Sequence, residues 1–130
     1  MKSVYFATKN KGKVVSIGNV LSKYGIEVVH VPLDLPEPRS DELRTIAKEK
    51  VLFAYETIKK PCIALDAGFY IHSLNGFPKA FVNFALETIG LEGILKLVEG
   101  RPRECEFRNC IAYFDGSLSE PLYFESENNG

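Results

Sequence analysis

Short apolar runs alternate with helical apolar spacing along the first half of this chain, and this alternation limits the fold more than any other feature. Val4–Ala7 is a short apolar run, and Ile26–Val31 is rich in β-branched residues, which favour strands. Between and after these runs, apolar residues recur at steps of three and four, the spacing of a helix with one buried face. Strands that alternate with helices predict an α/β protein.

Two helices are predicted in this half. The first carries an apolar stripe that stops just before Gly25, a residue type that favours a helix C-terminus. The second is predicted from Ser40, a plausible N-cap, to about Lys59, and Pro61 follows it. The stripes consist of Ile17, Val20, Leu21 and Tyr24 in the first helix, and of Leu43, Ala47, Val51, Ala54 and Ile58 in the second.

The middle of the chain predicts a short hairpin, a turn and a third helix. Cys62–Leu65 is an apolar strand, for which Phe69–Ile71 is the expected hairpin partner. Asn75-Gly76 is a strong turn signal, and Leu91–Val98 carries a helical stripe. The nearby aromatic residues are most simply assigned to the core, although a ring beside a cleft could stack on a base. These residues are Phe77, Phe81 and Phe84.

The last third predicts a second hairpin. Cys105–Phe114 alternates as a strand does, Asp115-Gly116 is a hairpin signal, and Leu122–Phe124 is the expected return strand. The polar tail, residues 125–130, is expected to fray. Together with the alternating first half, these elements predict a central mixed β-sheet flanked by helices, in one domain over residues 1–130.

Charge and cysteine content exclude several classes of partner. The net charge is -1, so the basic surface of a nucleic-acid binder is missing, and no apolar run is long enough to span a membrane. The three cysteines, Cys62, Cys105 and Cys110, form no C-x-x-C pair, which argues against a zinc site or a redox motif. Their odd number suits a reducing compartment, and we expect a cytoplasmic protein.

The first candidate site is the junction between the first strand and the first helix. The start of a helix offers free backbone N–H groups and the positive end of the helix dipole, which favour phosphate. The junction consists of Thr8, Lys9, Asn10, Lys11, Gly12 and Lys13. It is not a P-loop, because Ala7 and Val14 stand where that motif needs Gly and Ser or Thr. The alternative is a solvated basic turn.

Two carboxylates are candidates for metal binding or proton transfer. Asp66 follows the apolar run that ends at Leu65, the kind of strand end where α/β sheets bind ligands. It could hold magnesium or act as a base toward water, but it could equally cap local backbone amides. Glu37 is held between two prolines in an extended segment, and its alternative is a solvent-facing side chain. His30 and His72 stand alone and are assigned structural or surface roles.

Six motifs occur in order along nearly the whole chain and resemble those of one enzyme family. They are Ala7–Lys13, Pro36-Glu37, Ala64–Gly68, Leu74–Pro78, Thr88–Leu97 and Cys110–Gly116. The first resembles the opening Thr/Ser-x-Asn-x-x-Lys signature of the inosine/xanthosine triphosphate pyrophosphatases. The third resembles their acidic strand-end motif, and the fifth is similar to archaeal members in particular.

The resemblance implies a fold and an activity. The family has a central mixed sheet with two lobes around a cleft, and its members are usually homodimers. They hydrolyse non-standard purine nucleoside triphosphates (ITP, dITP and XTP) between the α and β phosphates with Mg²⁺, and they release the monophosphate and pyrophosphate. A metal ion in such a site polarises the phosphoryl oxygen and lowers the pKa of bound water.

The resemblance also implies roles for individual residues. Thr8, Asn10 and Lys13 would hold the triphosphate, and Lys13 would also take part in catalysis. Glu37 and Asp66 would bind Mg²⁺, and Asp66 would help to deprotonate the attacking water. The remaining substrate-binding residues would be Lys9, Lys11, Gly12 and Ala67.

The chain departs from the family pattern at several positions. Leu65 replaces the first acid of the strand-end pair, and Ala67 replaces its serine. His72, Lys79 and Val82 also differ from the expected residues. The C-terminal part of the family, whose Gly-Phe-Gly-Tyr-Asp-Pro loop, lysine and Ser-His-Arg triplet grip the base, has no counterpart in the sequence, so an incomplete domain is expected.

Three interpretations stay open at this point. The chain is a fragment or truncated form of a working enzyme, a divergent relative that binds nucleotide weakly, or an interaction protein that keeps the fold for dimerisation. A missing C-terminal strand would expose a sheet edge, so we also expect self-association.

Overall fold

The computed structural model describes residues 2–129, and these form one six-stranded sheet flanked by four helices. The strands are β1 (Lys2–Ala7), β2 (Ile26–Val31), β3 (Cys62–Ile71), β4 (Pro78–Lys79), β5 (Cys105–Phe114) and β6 (Leu122–Asn129). The helices are α1 (Lys11–Ser22), α2 (Leu43–Ile58), α3 (Val82–Thr88) and α4 (Gly90–Leu97), and His72–Leu74 form a single 3₁₀ turn. No helix among the described residues is long and apolar enough to cross a membrane.

The sheet is mixed, as the sequence predicts. Its strand order is β2-β1-β3-β5-β6, and β4 pairs with the far end of β3. Strand β1 runs parallel to both β2 and β3, whereas β5 runs antiparallel to β3 and β6 antiparallel to β5. The parallel half comes from the strand–helix–strand segments and the antiparallel half from the late hairpin.

The apolar residues of the sheet pack in three clusters. On one face, the small buried residues of β1, β3 and β5 receive the apolar stripe of α2, including Ala47, Val51 and Ala54. On the other face, Val4, Phe6 and Ile63 pack against α1. The third cluster joins the end of β3 to α3 and α4. Helix α1, helix α2 and the α3–α4 pair therefore cover different parts of the sheet, and the α2 face holds Asp66.

The predicted hairpin between Cys62–Leu65 and Phe69–Ile71 is wrong. These residues belong to one continuous strand, β3, because all ten of its residues pair with the ten residues of β5. The Asp-Ala-Gly sequence that suggested a turn is held extended by this ladder. Asp66 therefore lies in the middle of a strand rather than at its end.

The predicted N-cap at Ser40 is also wrong. Helix α2 begins at Leu43, and its N-cap, Glu42, makes no side-chain capping bond. The backbone N–H of Glu42 donates to Ser40 Oγ at 3.1 Å, so this hydroxyl closes a local turn before the helix. Helix α1 starts earlier than its apolar stripe indicates, at Lys11, and ends at Ser22.

Two further expectations fail in the second half. Residues 125–129 do not fray, because they continue β6 and pair with Glu106–Cys110 of β5. The three phenylalanines assigned to the core are exposed by 39% (Phe77), 44% (Phe81) and 66% (Phe84). Phe77 precedes β4, Phe81 is the N-cap of α3, and Phe84 lies within α3; residues 2–129 provide no covering layer over these rings.

Candidate active site

The junction between β1 and α1 is built by side chains that satisfy its own backbone. The Lys13 N–H donates to Asn10 Oδ1 at 3.2 Å, which makes Asn10 the N-cap of α1. The Asn10 N–H in turn donates to Thr8 Oγ1 at 3.1 Å. Lys11–Lys13 form the first helical turn, so their N–H groups point out of the helix start. Anion binding at this junction stays a prediction that rests on the position of these groups at a helix start.

His30 anchors this junction, which is a structural role of the kind that the sequence analysis assigns to it. Its Nε2 donates to the Thr8 carbonyl at 2.7 Å, and the Thr8 N–H donates to the Val31 carbonyl at 3.1 Å. Parallel pairing of β1 with β2 places Phe6 beside His30, which brings the ring to the junction. Lys9 pairs with Asp34 on the surface, so part of its charge is neutralised by this carboxylate.

The two candidate carboxylates, Glu37 and Asp66, are brought together by a third residue, Lys50. The Lys50 ammonium lies 3.2 Å from Asp66 Oδ1 and 3.2 Å from Glu37 Oε1, and it also donates to the Leu65 carbonyl at 3.4 Å. The side chains of Lys50 and Asp66 are each 11% exposed, whereas that of Glu37 is 73% exposed. A buried cation thus bridges one buried and one exposed carboxylate.

Lys50 was not singled out from the sequence, although a signal was present. It falls on the buried stripe of α2, three residues after Ala47 and four before Ala54. A lysine on an apolar helix face is rarely buried unless it is paired. Such a position therefore predicts a buried acidic partner, which here is Asp66.

The surroundings of Asp66 make its carboxyl group a strong proton acceptor. Burial raises the pKa of Asp66 above the usual value of an aspartate, Lys50 offsets part of this shift, and Glu37 adds to it. One oxygen, Oδ2, is buried and has no hydrogen-bond partner. A buried carboxylate oxygen without a donor is costly, so this atom is available to a ligand that carries positive charge or a proton.

The junction follows β1, and Asp66 lies on the neighbouring strand, β3. Tyr5 pairs with Cys62 and Phe6 with Ile63, and the same register continued places Thr8–Lys9 level with Leu65–Asp66. The side chain of Ala67 points to the opposite face of the sheet from Asp66, since side chains alternate along a strand. Ala67 therefore contributes its backbone to this face, and its N–H lowers the pKa of Asp66 slightly.

A cleft of about 710 Å³ opens beside this group on the α2 face. Its floor is formed by side chains of β3, β5 and β6, and its rim by the start of α2 and by the segment around β4. The lining residues include Tyr70, Arg108 and Cys110 on the floor, and Asp41, Arg44, Asn75, Lys79, Glu125 and Glu127 around them. Because Cys110 pairs with Asp66, the cleft reaches the strand position opposite the candidate carboxylate.

A helix N-terminus beside paired carboxylates is typical of α/β proteins that handle phosphate esters with a divalent cation. Residues 4–130 match the profile of the Ham1 family, and the chain belongs to this family.

The named relatives agree with this assignment. The chain is 41% identical over 128 residues to a dITP/XTP pyrophosphatase from Methanopyrus kandleri, which covers 98% of this chain and 68% of that protein. It is 36% identical over 115 residues to a dITP/XTP pyrophosphatase from Pyrococcus horikoshii, covering 87% and 62% respectively. The chain thus spans about two thirds of the length of these relatives.

Solved structures share the fold. A HAM1 protein from Coxiella burnetii superposes with a TM-score of 0.86 at 22% identity, over 100% of this chain and 72% of that one. The Ham1 protein from Staphylococcus aureus superposes with a TM-score of 0.81 at 21% identity, over 99% of this chain and 71% of that one. The expected family fold is therefore confirmed.

Proposed function

We propose that this chain holds the phosphate-binding and metal-binding groups of a Mg²⁺-dependent pyrophosphatase for non-standard purine nucleoside triphosphates. The substrates would be ITP, dITP and XTP, and the products a monophosphate and pyrophosphate. The observation that carries this proposal is the group formed by Glu37, Lys50 and Asp66 next to a helix N-terminus. The names of the relatives supply the substrate class.

The triphosphate would bind at the start of α1. The N–H groups of Lys11 and Gly12 and the positive end of the helix dipole attract phosphate oxygens, whereas the Lys13 N–H is bonded to Asn10 Oδ1. The side chains of Lys11 and Lys13 add positive charge. Thr8 and Asn10 hold the turn in shape through their hydrogen bonds. Gly12 lies close to the cap, since a Cβ there would come within 3.3 Å of Asn10 Oδ1.

The residues present fit a magnesium ion. Mg²⁺ is usually held by one or two carboxylates together with substrate phosphates, and Glu37 and Asp66 provide two. The unpartnered Oδ2 of Asp66 is an available ligand atom, and no larger cluster of metal-binding side chains occurs within residues 2–129. When bound, the ion would neutralise phosphate charge and polarise the phosphoryl group.

Asp66 would accept the proton of the attacking water. A carboxylate with a raised pKa holds a proton more strongly than an exposed one, and this favours its action as a general base. Lys50 fixes Oδ1 and leaves Oδ2 for the water or the ion. Leu65 reduces the number of acids here to one on β3, so Glu37 becomes the second ligand in this proposal.

The test is pyrophosphate release with Mg²⁺ from ITP, dITP, XTP, GTP and ATP. We expect release from ITP or XTP, and loss of most of it in Asp66→Asn. The control is Glu56→Gln, the same change of carboxylate to amide on the exposed side of α2. Equal rates in Asp66→Asn and in the control would refute the assignment of Asp66.

A binding protein without turnover is the second candidate, and the replacement of acid and serine by Leu65 and Ala67 favours it. It would show no release, but Mg²⁺·ITP would still raise the melting temperature, because a ligand that binds the folded state stabilises it. Absence of both effects would leave an interaction role.

We also propose that the chain forms a homodimer through α3 and α4. These helices expose several large apolar side chains, including Phe84 at 66% and Leu91 at 65%. Exposed apolar patches of this kind mark interaction surfaces. Light scattering at micromolar concentration should give a dimer mass, and Phe84→Ser with Leu91→Ser should give a monomer; Val15→Ser on α1 is the control. A monomeric wild-type chain would refute this.

A cytoplasmic location stays a proposal. It is supported by the three cysteines, all of which are free thiols in the structure.

A further inference from the structure

Arg108 places a guanidinium group on the floor of the cleft. Its central carbon lies 4.2 Å from the centre of the Tyr70 ring, so the planar group stacks against the aromatic face. Its Nε donates to Glu106 Oε1 at 2.9 Å, and its Nη2 donates to the same oxygen. These contacts fix the orientation of the group, although the side chain is 45% exposed.

Strand pairing places Arg108 close to the candidate catalytic group. Arg108 pairs with Gly68, and Cys110 pairs with Asp66. Arg108 and Asp66 therefore lie on the same face of two adjacent strands, offset by two residues. Two residues along a strand correspond to about 7 Å. Gly68 allows the Tyr70 ring to pack directly against β3 beside Arg108, because a Cβ at this position would come within 2.9 Å of the ring.

The other positive charges of the cleft are already paired. Arg44 contacts Glu125, and Lys79 contacts Asp41 at 3.0 Å. The cleft therefore has no surplus of positive charge to hold a triphosphate. It suits the uncharged, flat part of a nucleotide whose phosphates lie at the start of α1.

Arg108 retains N–H groups for a ligand beside its two bonds to Glu106. Both bonds to Glu106 use Nε and Nη2, and within residues 2–129 the two N–H groups of Nη1 have no partner. Hypoxanthine, xanthine and guanine present acceptors at O6 and N7, which arginine recognises in nucleic acids, whereas adenine presents an amino donor in place of O6.

We propose that Arg108 is a specificity-determining residue that recognises the O6/N7 edge of 6-oxopurines and discriminates against adenine. This inference rests on the proposed function for the position of the phosphates. The stacked Tyr70 ring and the carboxylate of Glu106 act on it as positioning groups, because they hold the guanidinium plane and direct Nη1 into the cleft.

The test measures binding of the monophosphates IMP and AMP by calorimetry, so that turnover is not needed. The two ligands carry the same phosphate, and the wild type should bind IMP roughly tenfold or more tightly than AMP. Arg108→Lys keeps a cation beside Glu106 but loses the planar fork, and the preference should fall to about threefold or less.

Two further variants guard against misfolding and nonspecific effects. The double variant Glu106→Gln with Arg108→Gln leaves no unpaired buried carboxylate and should also lose the preference. Arg103→Gln changes an exposed arginine outside the cleft and should keep it.

The outcomes separate this inference from the proposed function. An unchanged IMP preference in Arg108→Lys and in the double variant would overturn it, as would equal binding of IMP and AMP by the wild type, or binding of neither. Loss of the preference in these variants, in a protein that releases no pyrophosphate from any triphosphate, would support Arg108 as the base contact while refuting the catalytic proposal.

Discussion

Replacement of Lys50 by methionine tests the organisation of the site most directly. The change keeps the length and apolar stem of the side chain but removes the ammonium that lies 3.2 Å from both Glu37 and Asp66. Asp66 would then be a buried carboxylate with neither oxygen paired to a cation, since Oδ2 already has no partner.

The magnitude follows from the geometry. One ion pair at this separation is worth about 5 kcal/mol at an effective dielectric constant of about 20. Loss of one partner of a buried pair costs roughly 3–5 kcal/mol, and the exposed Glu37 adds little because solvent screens it. We therefore expect a loss of about 3 kcal/mol in the free energy of unfolding, which corresponds to a fall of about 10 °C in melting temperature.

Urea unfolding at pH 7.5 and pH 4 is the assay, with Lys48→Met as the matched control. Lys48 lies on the same helix and pairs with Glu120, but its side chain is 41% exposed, so its loss should change stability by less than about 0.5 kcal/mol. The effect of Lys50→Met should shrink at pH 4, where protonation of Asp66 removes the unpaired charge.

Magnesium binding gives an independent measure of the positive charge that Lys50→Met removes. In Lys50→Met, Mg²⁺ should raise the melting temperature more than it does in the wild type, because the ion replaces the missing positive charge between the two carboxylates. Equal destabilisation by Lys50→Met and Lys48→Met at pH 7.5 would refute the bridging role of Lys50.

Three further predictions follow from the geometry. Because burial raises the pKa of Asp66, the folded state binds its proton more tightly than the unfolded state. The stability that this group contributes therefore falls as pH rises from its unfolded-state pKa through its folded-state pKa. Mg²⁺ needs the ionised form, so its stabilising effect should grow with pH and be absent in Asp66→Asn; an effect independent of pH would contradict this. Asn10→Ala removes the N-cap of α1 and should cost about 1 kcal/mol in thermal unfolding, whereas Asn19→Ala on the exposed side of this helix should cost little. Gly68→Ala should cost about 1–3 kcal/mol and weaken IMP binding, because its Cβ meets Tyr70 and the Lys79 carbonyl at 2.9 and 3.0 Å; unchanged binding would argue against a ligand on this floor.

Local patterns in the sequence predicted much of the fold correctly. Strands β2 and β5 have the predicted bounds, and α2 ends within one residue of the predicted position. The turn at Asn75-Gly76 has the positive φ angles, 57° and 92°, that favour these residue types. Such features depend on neighbours in the chain, so apolar spacing and turn chemistry are sufficient to identify them.

The errors arose where a distant segment overrides local preference. Asp66-Ala67-Gly68 resembles a turn, but the ten-residue ladder with β5 keeps it extended. The polar residues 125–129 resemble a frayed tail, but their backbone pairs with β5 as well. The hydrogen bonds of strand pairing come from a distant segment, so the local sequence pattern of one strand does not reveal them.

The sequence by itself determined the class of fold, and it indicated the junction at Thr8–Lys13 and the two acids, Glu37 and Asp66, as candidates. Tertiary structure decided that Lys50 joins these acids, that His30 anchors the junction, and that Arg108 faces the cleft. The physical reason is that apolar periodicity and capping reflect local free energies. Contacts across strands depend instead on register and on the packing of helix against sheet, which the burial of all elements sets together.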